Sequence, residues 1–314
     1  MRKIFTKYFY HAKPFIPRNV QLAIRRRVVR LAQIRNRDVW PIDESAAEPP
    51  AGWSGWPDGK RFALILTHDV DTEQGQDKCT ALAGMEETLG LKSSFNFVPR
   101  RYRVDPSLRE FLTGKGFEVG VHGLYHDGKY FNSREEWRDR AVLINRYLHE
   151  WKAVGYRTPS MHHMLDWFHE LDIEYDASTF DTDPFEPNPD AAKTIFPFWV
   201  PKETIDNDGY LELPYTLAQD FTLFILLQEK SIDLWKRKLD WIVQKGGMAL
   251  VNTHPDYMNF NGGRLETEEY PSGLYKEFLE YTVGKYNGEF WHVLPREVCT
   301  FWKTGRYFDL NSAN

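Results

Sequence analysis

The chain predicts one large α/β domain of parallel βα units, preceded by a separately organised basic head. Three observations carry this. The 314 residues are 42% hydrophobic and 27% charged, enough for a sizeable core and incompatible with global disorder. From residue 61 onward, short apolar runs alternate with helix-length segments. Clusters of Asp, His and Arg follow several of those runs directly, where α/β folds collect functional groups.

Residues 1–41 carry eleven Lys/Arg against Asp38 alone, a net +10, while the remainder holds 29 basic and 44 acidic residues, a net −15. So acidic a body argues against a nucleic-acid footprint. In the head, Val20, Ile24, Val28 and Leu31 recur at helical spacing, with Arg25, Arg26 and Arg30 off the stripe and Arg27 interrupting it. Two readings stay open. The helix lies peripherally on an anionic inner-membrane face, or it packs on the acidic body through salt bridges. Pro49, Pro50, Pro57, Trp53 and Trp56 mark residues 42–60 as an irregular connector. The division is therefore 1–60, basic extension and connector, and 61–314, the large α/β domain.

Strands are expected at Phe62–Leu66, Ser93–Val98, Phe117–Val121, Leu211–Leu213 and Met248–Val251. Helices are expected near 75–89, 105–115, 133–151 and 230–245. Two cysteines, Cys79 and Cys299, are too few for a disulfide scaffold or a cysteine zinc site. No apolar run approaches the ~18 residues of a membrane span, and no apolar leader segment follows the basic start. A cytoplasmic protein is the expectation.

Four motifs carry chemistry. Thr67-His68-Asp69-Val70-Asp71 follows the first strand and reads as an Asp-rich turn, in which one carboxylate can bind a cation while the other serves as a base. An ordinary turn or helix cap is its bland reading. His122 and His126 stand one helical turn apart if helical, so both imidazoles could reach one metal. Gly123 would let the chain turn sharply there. Arg157, in Gly-Tyr-Arg-Thr-Pro, could hold a carboxylate or make a structural salt bridge. His254, at the end of the last strand, could serve as an acid or bond to backbone. A single metal-hydrolase site explains all four together.

In this order the motifs resemble those of the polysaccharide deacetylases, the NodB-homology or carbohydrate esterase family 4 group. The matching segments are 67–71, 122–126, Arg-Thr-Pro at 157–159, the Asp/aromatic stretch 176–185, and Leu-Val-Asn-Thr-His at 250–254. The resemblance covers about 61–260. It implies a distorted (β/α)7-type barrel, here with an N-terminal helical extension. It implies a divalent metal, zinc by preference, on Asp71, His122 and His126. Asp69 would be the general base, Arg157 its orienting partner and His254 the general acid. The usual pair of adjacent aspartates is split here by Val70, so the base and ligand roles of Asp69 and Asp71 could be exchanged. The usual Trp of the fourth motif is absent, leaving Phe180, Phe185 or Trp199 to wall the pocket. Asp181, Asp183 and Asp220 are candidates to tune His254. Tyr125, Pro159, Phe185, Trp199, Tyr215 and Asp220 are expected on the substrate side. His162 and His163 are expected on a helix surface.

The implied activity is metal-dependent hydrolysis of an N-acetyl group from an amino sugar, on a cytoplasmic intermediate of surface polysaccharide synthesis. Two alternatives stand beside it, a deformylase of a lipid-linked amino sugar and a non-catalytic glycan-binding protein. An aromatic content of 15% suits a sugar partner.

Overall fold

The computed structural model describes residues 17–187, 190–202 and 208–305. Residues 1–16 of the basic head and the last nine residues of the expected catalytic domain lie outside them.

The barrel starts with β1, Phe62–Val70, buried along its whole length. It is buried because both edges are paired in parallel. One edge takes β8, Met248–Thr253. The other takes β11, Phe290–His292, against Phe62–Leu64 and then β2, Ser94–Phe97, against Thr67–Val70. The series continues in parallel through β3, Glu118–His122, β4, Gly155–Arg157, β5, Tyr175–Asp176, and β7, Gly209–Glu212. The antiparallel strand β6, Phe198–Pro201, pairs outside β7. The gap between β7 and β8 is bridged by hydrogen bonds rather than a strand ladder. The amides of Thr216 and Leu217 donate to the Leu250 carbonyl at 3.1 and 3.3 Å, and the Thr216 hydroxyl donates to the Met248 carbonyl. The result is the expected distorted (β/α)7-type barrel.

Helices wrap the outside, three of them started by a capping side chain. Thr72 caps α2, Glu73–Glu87, and Asp105 caps α3, Pro106–Gly114. Ser133 caps α4, Arg134–Trp151, which buries Trp137, Ile144 and Leu148. A short turn of helix, α5, spans Leu165–Phe168. A π-helix at Phe221–Leu226 precedes α6, Asp233–Lys245, which stops at Gly246 in the left-handed region (φ +73). The two-residue strands β9, Met258–Asn259, and β10, Tyr270–Pro271, pair with each other. Then come α7, Ser272–Lys285, and α8, Pro295–Thr304. The extension is helical as expected: α1, Arg18–Arg35, buries Gln21, Leu22, Val29 and Ala32. Arg26 donates to the Ile225 carbonyl of the π-helix and Arg18 pairs with Glu268. No helix among the described residues is long and apolar enough to cross a membrane.

Three local expectations change. The first motif is not a turn: β1 runs four residues past Leu66, so Thr67, His68 and Asp69 are strand residues. His122 ends β3, but His126 lies in an irregular loop with φ +56, not one helical turn on. His162 and His163 precede α5 in a loop, and His163 is buried with Nδ1 against the Met161 carbonyl.

Candidate active site

Strand alternation sorts the first motif. His68 is fully buried, its Nε2 2.8 Å from Glu86 of α2 and its Nδ1 2.7 Å from the Thr253 hydroxyl. Glu86 also accepts from Ser93 and Tyr275, so this histidine belongs to a network tying β1 to the outer layer. Thr67 and Asp69 point the other way, into the barrel.

There Asp69 is almost wholly enclosed. Its Oδ1 accepts from Asn96 Nδ2 at 3.0 Å and from Arg157 at 3.2 Å, and its Oδ2 accepts from Asn252 Nδ2 at 2.9 Å. Burial alone would raise its pKa. The charges of Arg157 and His254 and the Asn96 hydrogen bond outweigh burial and hold the carboxyl below its ordinary range. Arg157 is itself fixed by bonds to the Ala177 carbonyl at 2.7 Å, Thr67 at 2.9 Å and Asn252 Oδ1 at 2.7 Å. Asn252 thus touches both members of the ion pair, donating to one and accepting from the other.

One step beyond β1, Asp71 meets the two histidines. One ligand atom from each of Asp71, His122 and His126 lies within 4.8 Å of the others. Both Nε2 atoms converge on the same oxygen, Asp71 Oδ1, at 3.4 Å from His122 and 3.0 Å from His126. That oxygen is buried and accepts no hydrogen bond. The His122 Nδ1 faces the Arg157 carbonyl at 3.1 Å, which leaves Nε2 with its lone pair toward Asp71. An orphaned carboxylate oxygen beside two inward imidazole nitrogens is a donor set that fits a divalent cation such as zinc. Asp256 anchors this corner by accepting from the Asp71 amide at 2.9 Å and from the Thr72 hydroxyl.

The loop carrying His126 is gathered by Tyr130, whose phenol oxygen accepts from the amides of Leu124, Tyr125 and His126 at 3.0, 3.4 and 3.2 Å. Gly123 has φ +62, and a Cβ there would run into Tyr130 and Pro159.

His254 follows β8 and is 7% exposed. Its Nδ1 lies 2.7 Å from Asp220 Oδ1, and its amide donates to Asp220 Oδ2 at 2.8 Å. The Tyr270 hydroxyl donates to the same Oδ2 at 3.0 Å. Burial opposes the imidazolium charge, but Asp220 outweighs it and pushes the pKa up to about 10. Of the three tuning candidates, Asp220 is the one bonded to His254. Asp181 pairs with Lys238, and Asp183 accepts from the Phe185 amide.

These groups share one cleft of about 690 Å³, lined by Asp69, Asp71, His122, His126 and His254 together with Phe185, Glu186, Phe221 and Tyr257. Glu186 accepts from Tyr215 and Gln219, and burial, then the charge of Asp183, pushes its pKa up to about 8. Helix α1 adds Arg18, Gln21, Ile24, Arg25, Val28 and Val29 to the lining, and Arg101 joins from the barrel side. Of the residues expected on the substrate side, Phe185 lines the cleft. The others stand elsewhere. Tyr125 is exposed beside Arg100, and Pro159 packs behind Gly123. Trp199 is buried on the β6–β7 hairpin, Tyr215 is buried behind Glu186, and Asp220 is covered by His254 and Tyr270.

A protein described as a polysaccharide deacetylase from Mycobacterium smegmatis superposes with a TM-score of 0.64, at 17% identity over 82% of this chain and 96% of that one. The fold is that of the polysaccharide deacetylases. A second protein described so, from Pseudomonas aeruginosa PAO1, gives 0.63 at 15% identity over 82% and 95% of the two chains. The deacetylase fold is shared by Puue allantoinase, with 0.62 at 15% identity over 82% and 94%. No family model and no curated protein matches the chain.

Asn96, Asn252, Asp256, Tyr130 and Glu186 were not anticipated as site residues. Asn252 sits inside the Leu-Val-Asn-Thr-His segment and Asp256 two residues after His254, so position in those segments was the available signal. Nothing local marks the other three.

Proposed function

We propose that the protein is a metal-dependent hydrolase that removes an N-acetyl group from an amino sugar. One observation carries this reading. Asp69, held ionised by Arg157, and His254, held protonated by Asp220, reach the same cleft as the Asp71–His122–His126 cluster. An amide resists hydrolysis because its nitrogen leaves poorly, so a base for water and an acid for the amine are both needed. The polysaccharide deacetylase descriptions of two structures on this fold support the same reaction class.

A divalent metal on Asp71, His122 and His126, zinc in our reading, would supply Lewis acidity to water and to the acyl oxygen. The remaining work falls to the chain. Asp69, which lines the cleft, accepts a proton from water, while Asn96, Asn252 and Arg157 fix the carboxylate's orientation. The water oxygen bonds to the acyl carbon, and the carbon–nitrogen bond breaks. His254, whose Nδ1 is taken by Asp220, offers its Nε2 proton to the departing nitrogen. Acetate and a free amino sugar result. Arg25 and Arg101 line the same cleft and suit a phosphate-bearing substrate, so we place the sugar on a nucleotide- or lipid-linked intermediate of surface polysaccharide synthesis.

The test is acyl release from a panel of nucleotide- and lipid-linked N-acetyl and N-formyl sugars, with and without chelator. Acetate release that stops with chelator and returns with zinc is expected. Formate release with no acetate release would replace the N-acetyl assignment by deformylation. Sugar binding with neither product would overturn the enzyme reading.

A further inference from the structure

Helix α1 has two faces that do different things. Its inward face, with Leu22, Val29 and Ala32, is buried against the barrel. Arg25 falls between these positions on the helical wheel and yet stays exposed, because the wall it faces opens into the cleft. The outward face is apolar and, among the described residues, has no cover: Val20 is 48% exposed, Val28 50%, Leu31 57% and Ile34 65%. Val20, Leu31 and Ile34 fall with Arg27 in an arc of about 60°, flanked by Arg30 on one side and Arg35 on the other. The helix has six arginines and no acidic residue. Ile24 and Val28 lie at the edge of this face and also line the cleft, so the outer face and the cleft mouth are neighbours.

A water-facing helix that puts its aliphatic residues outward and rings them with arginine complements one surface chemistry. It matches an anionic bilayer, where aliphatic side chains enter the acyl boundary and guanidinium groups meet phosphates. Helix-to-helix docking of a second copy would set six arginines against six. We propose that α1 seats the protein on an anionic lipid surface, with the cleft mouth opening beside that surface. This deepens the function proposed above, on which it rests for the substrate alone: the N-acylated amino sugar would be carried on a membrane-anchored lipid phosphate.

The test is co-sedimentation of the full chain with vesicles of phosphatidylcholine alone and of phosphatidylcholine with phosphatidylglycerol. The chain is expected to pellet with the anionic vesicles, to stay soluble with the neutral ones, and to be released by salt. Leu31→Glu combined with Ile34→Glu should weaken vesicle partition by roughly tenfold or more, since it places charge at the acyl boundary. Arg27→Glu should weaken it too. All three side chains are exposed, and circular dichroism confirms that the variants fold. Recovery of the wild-type chain in the supernatant with both vesicle types overturns the proposal, as does unaltered vesicle binding by the double variant. Light scattering that shows a dimer abolished by the double variant also overturns it, making the face a contact between copies. Hydrolysis of a water-soluble N-acetyl sugar is followed in parallel. Vesicle binding without hydrolysis counts against the enzyme reading alone, and hydrolysis without vesicle binding counts against the docking alone.

Discussion

Asp220 holds His254 by two separate bonds, one oxygen 2.7 Å from the imidazole Nδ1 and the other accepting the backbone amide at 2.8 Å. The contact joins the N-cap of the π-helix to the end of β8. It fixes the position of the ring and the site of its proton together. With Nδ1 facing the carboxylate, the transferable proton is the one on Nε2.

This relationship sets a pH dependence. The folded pKa of His254 is raised to about 10, so the acid form persists through neutrality and is lost as pH climbs toward that value. In Asp220→Asn the raising charge is gone and burial, which pushes the imidazole down, is left. The alkaline limb of kcat should therefore move to lower pH, with roughly a hundredfold or more lost at neutral pH. Linkage has the same sign. Stability from the Asp220–His254 pair is fully present below the unfolded imidazole value of about 6.5 and is lost as pH rises through the folded value. Thermal melts of the metal-free wild type should decline across that window, and Asp220→Asn should not follow. An unmoved alkaline limb in the variant would overturn the role given to Asp220.

Asp69 and Asp71 are two residues apart, yet their surroundings assign them different chemistry. Asp69 accepts from three neutral or cationic donors, whereas Asp71 Oδ1 accepts from none and faces two imidazoles. Asp69→Asn should keep wild-type metal content by mass spectrometry while losing about a thousandfold or more in kcat. His126→Ala should lose the metal itself. Normal turnover by a metal-replete Asp69→Asn protein would sink the assignment of base and ligand.

Asn252 offers a test of positioning. Replacing it by Ala removes a donor from Asp69 and an acceptor from Arg157 at once, leaving both buried groups short of a partner. A stability loss of about 1–3 kcal/mol is expected in urea denaturation. Kinetically kcat should fall with little change in KM, since Asn252 does not line the cleft. A rise in KM alone would place its effect in binding.

How much of this was legible depends on whether the information is local. Asp69, Asp71, His122 and His254 fall at or beside the ends of strands the periodicity marks, and Arg157 stands in its own Gly-Tyr-Arg-Thr-Pro motif, so short motifs announce them. Asn96 and Asn252 bond to Asp69 from 27 and 183 residues away. That coincidence is set by barrel curvature, and no window of sequence holds it. His68 sat within a motif and proved to face outward, because one residue along a strand changes the face. The length of β1 was underestimated because polar residues end an apolar run. Here they continue the strand, Thr67 and Asp69 satisfied inside the barrel by Arg157, Asn96 and Asn252, and His68 satisfied outside it by Glu86 and Thr253. β11 is three half-buried residues and β6 joins the sheet only through an antiparallel hairpin, so neither has a periodic signature. The head could dock on the body or on a membrane. Its inward face packs on the π-helix, and the outward face decided nothing until its exposure was known.

Gly123 tests whether backbone shape, apart from ligand chemistry, holds the cluster together. The residue sits at φ +62, and an added methyl would strike Tyr130 and the Pro159 ring. Relief by moving Tyr130 would loosen the three amides it gathers, including that of His126. Gly123→Ala should therefore cost about 1–3 kcal/mol of stability from backbone strain and collision combined. It should also lower metal affinity on the order of tenfold, the scale seen when groups that orient a metal ligand are disturbed. Isothermal titration of the metal-free protein with zinc, alongside a urea melt, separates the two effects. A variant that melts early but binds zinc as tightly as wild type would show that His126 is positioned without the Tyr130 loop. In that case the rigidity of the cluster must come from β3 and Asp71 alone.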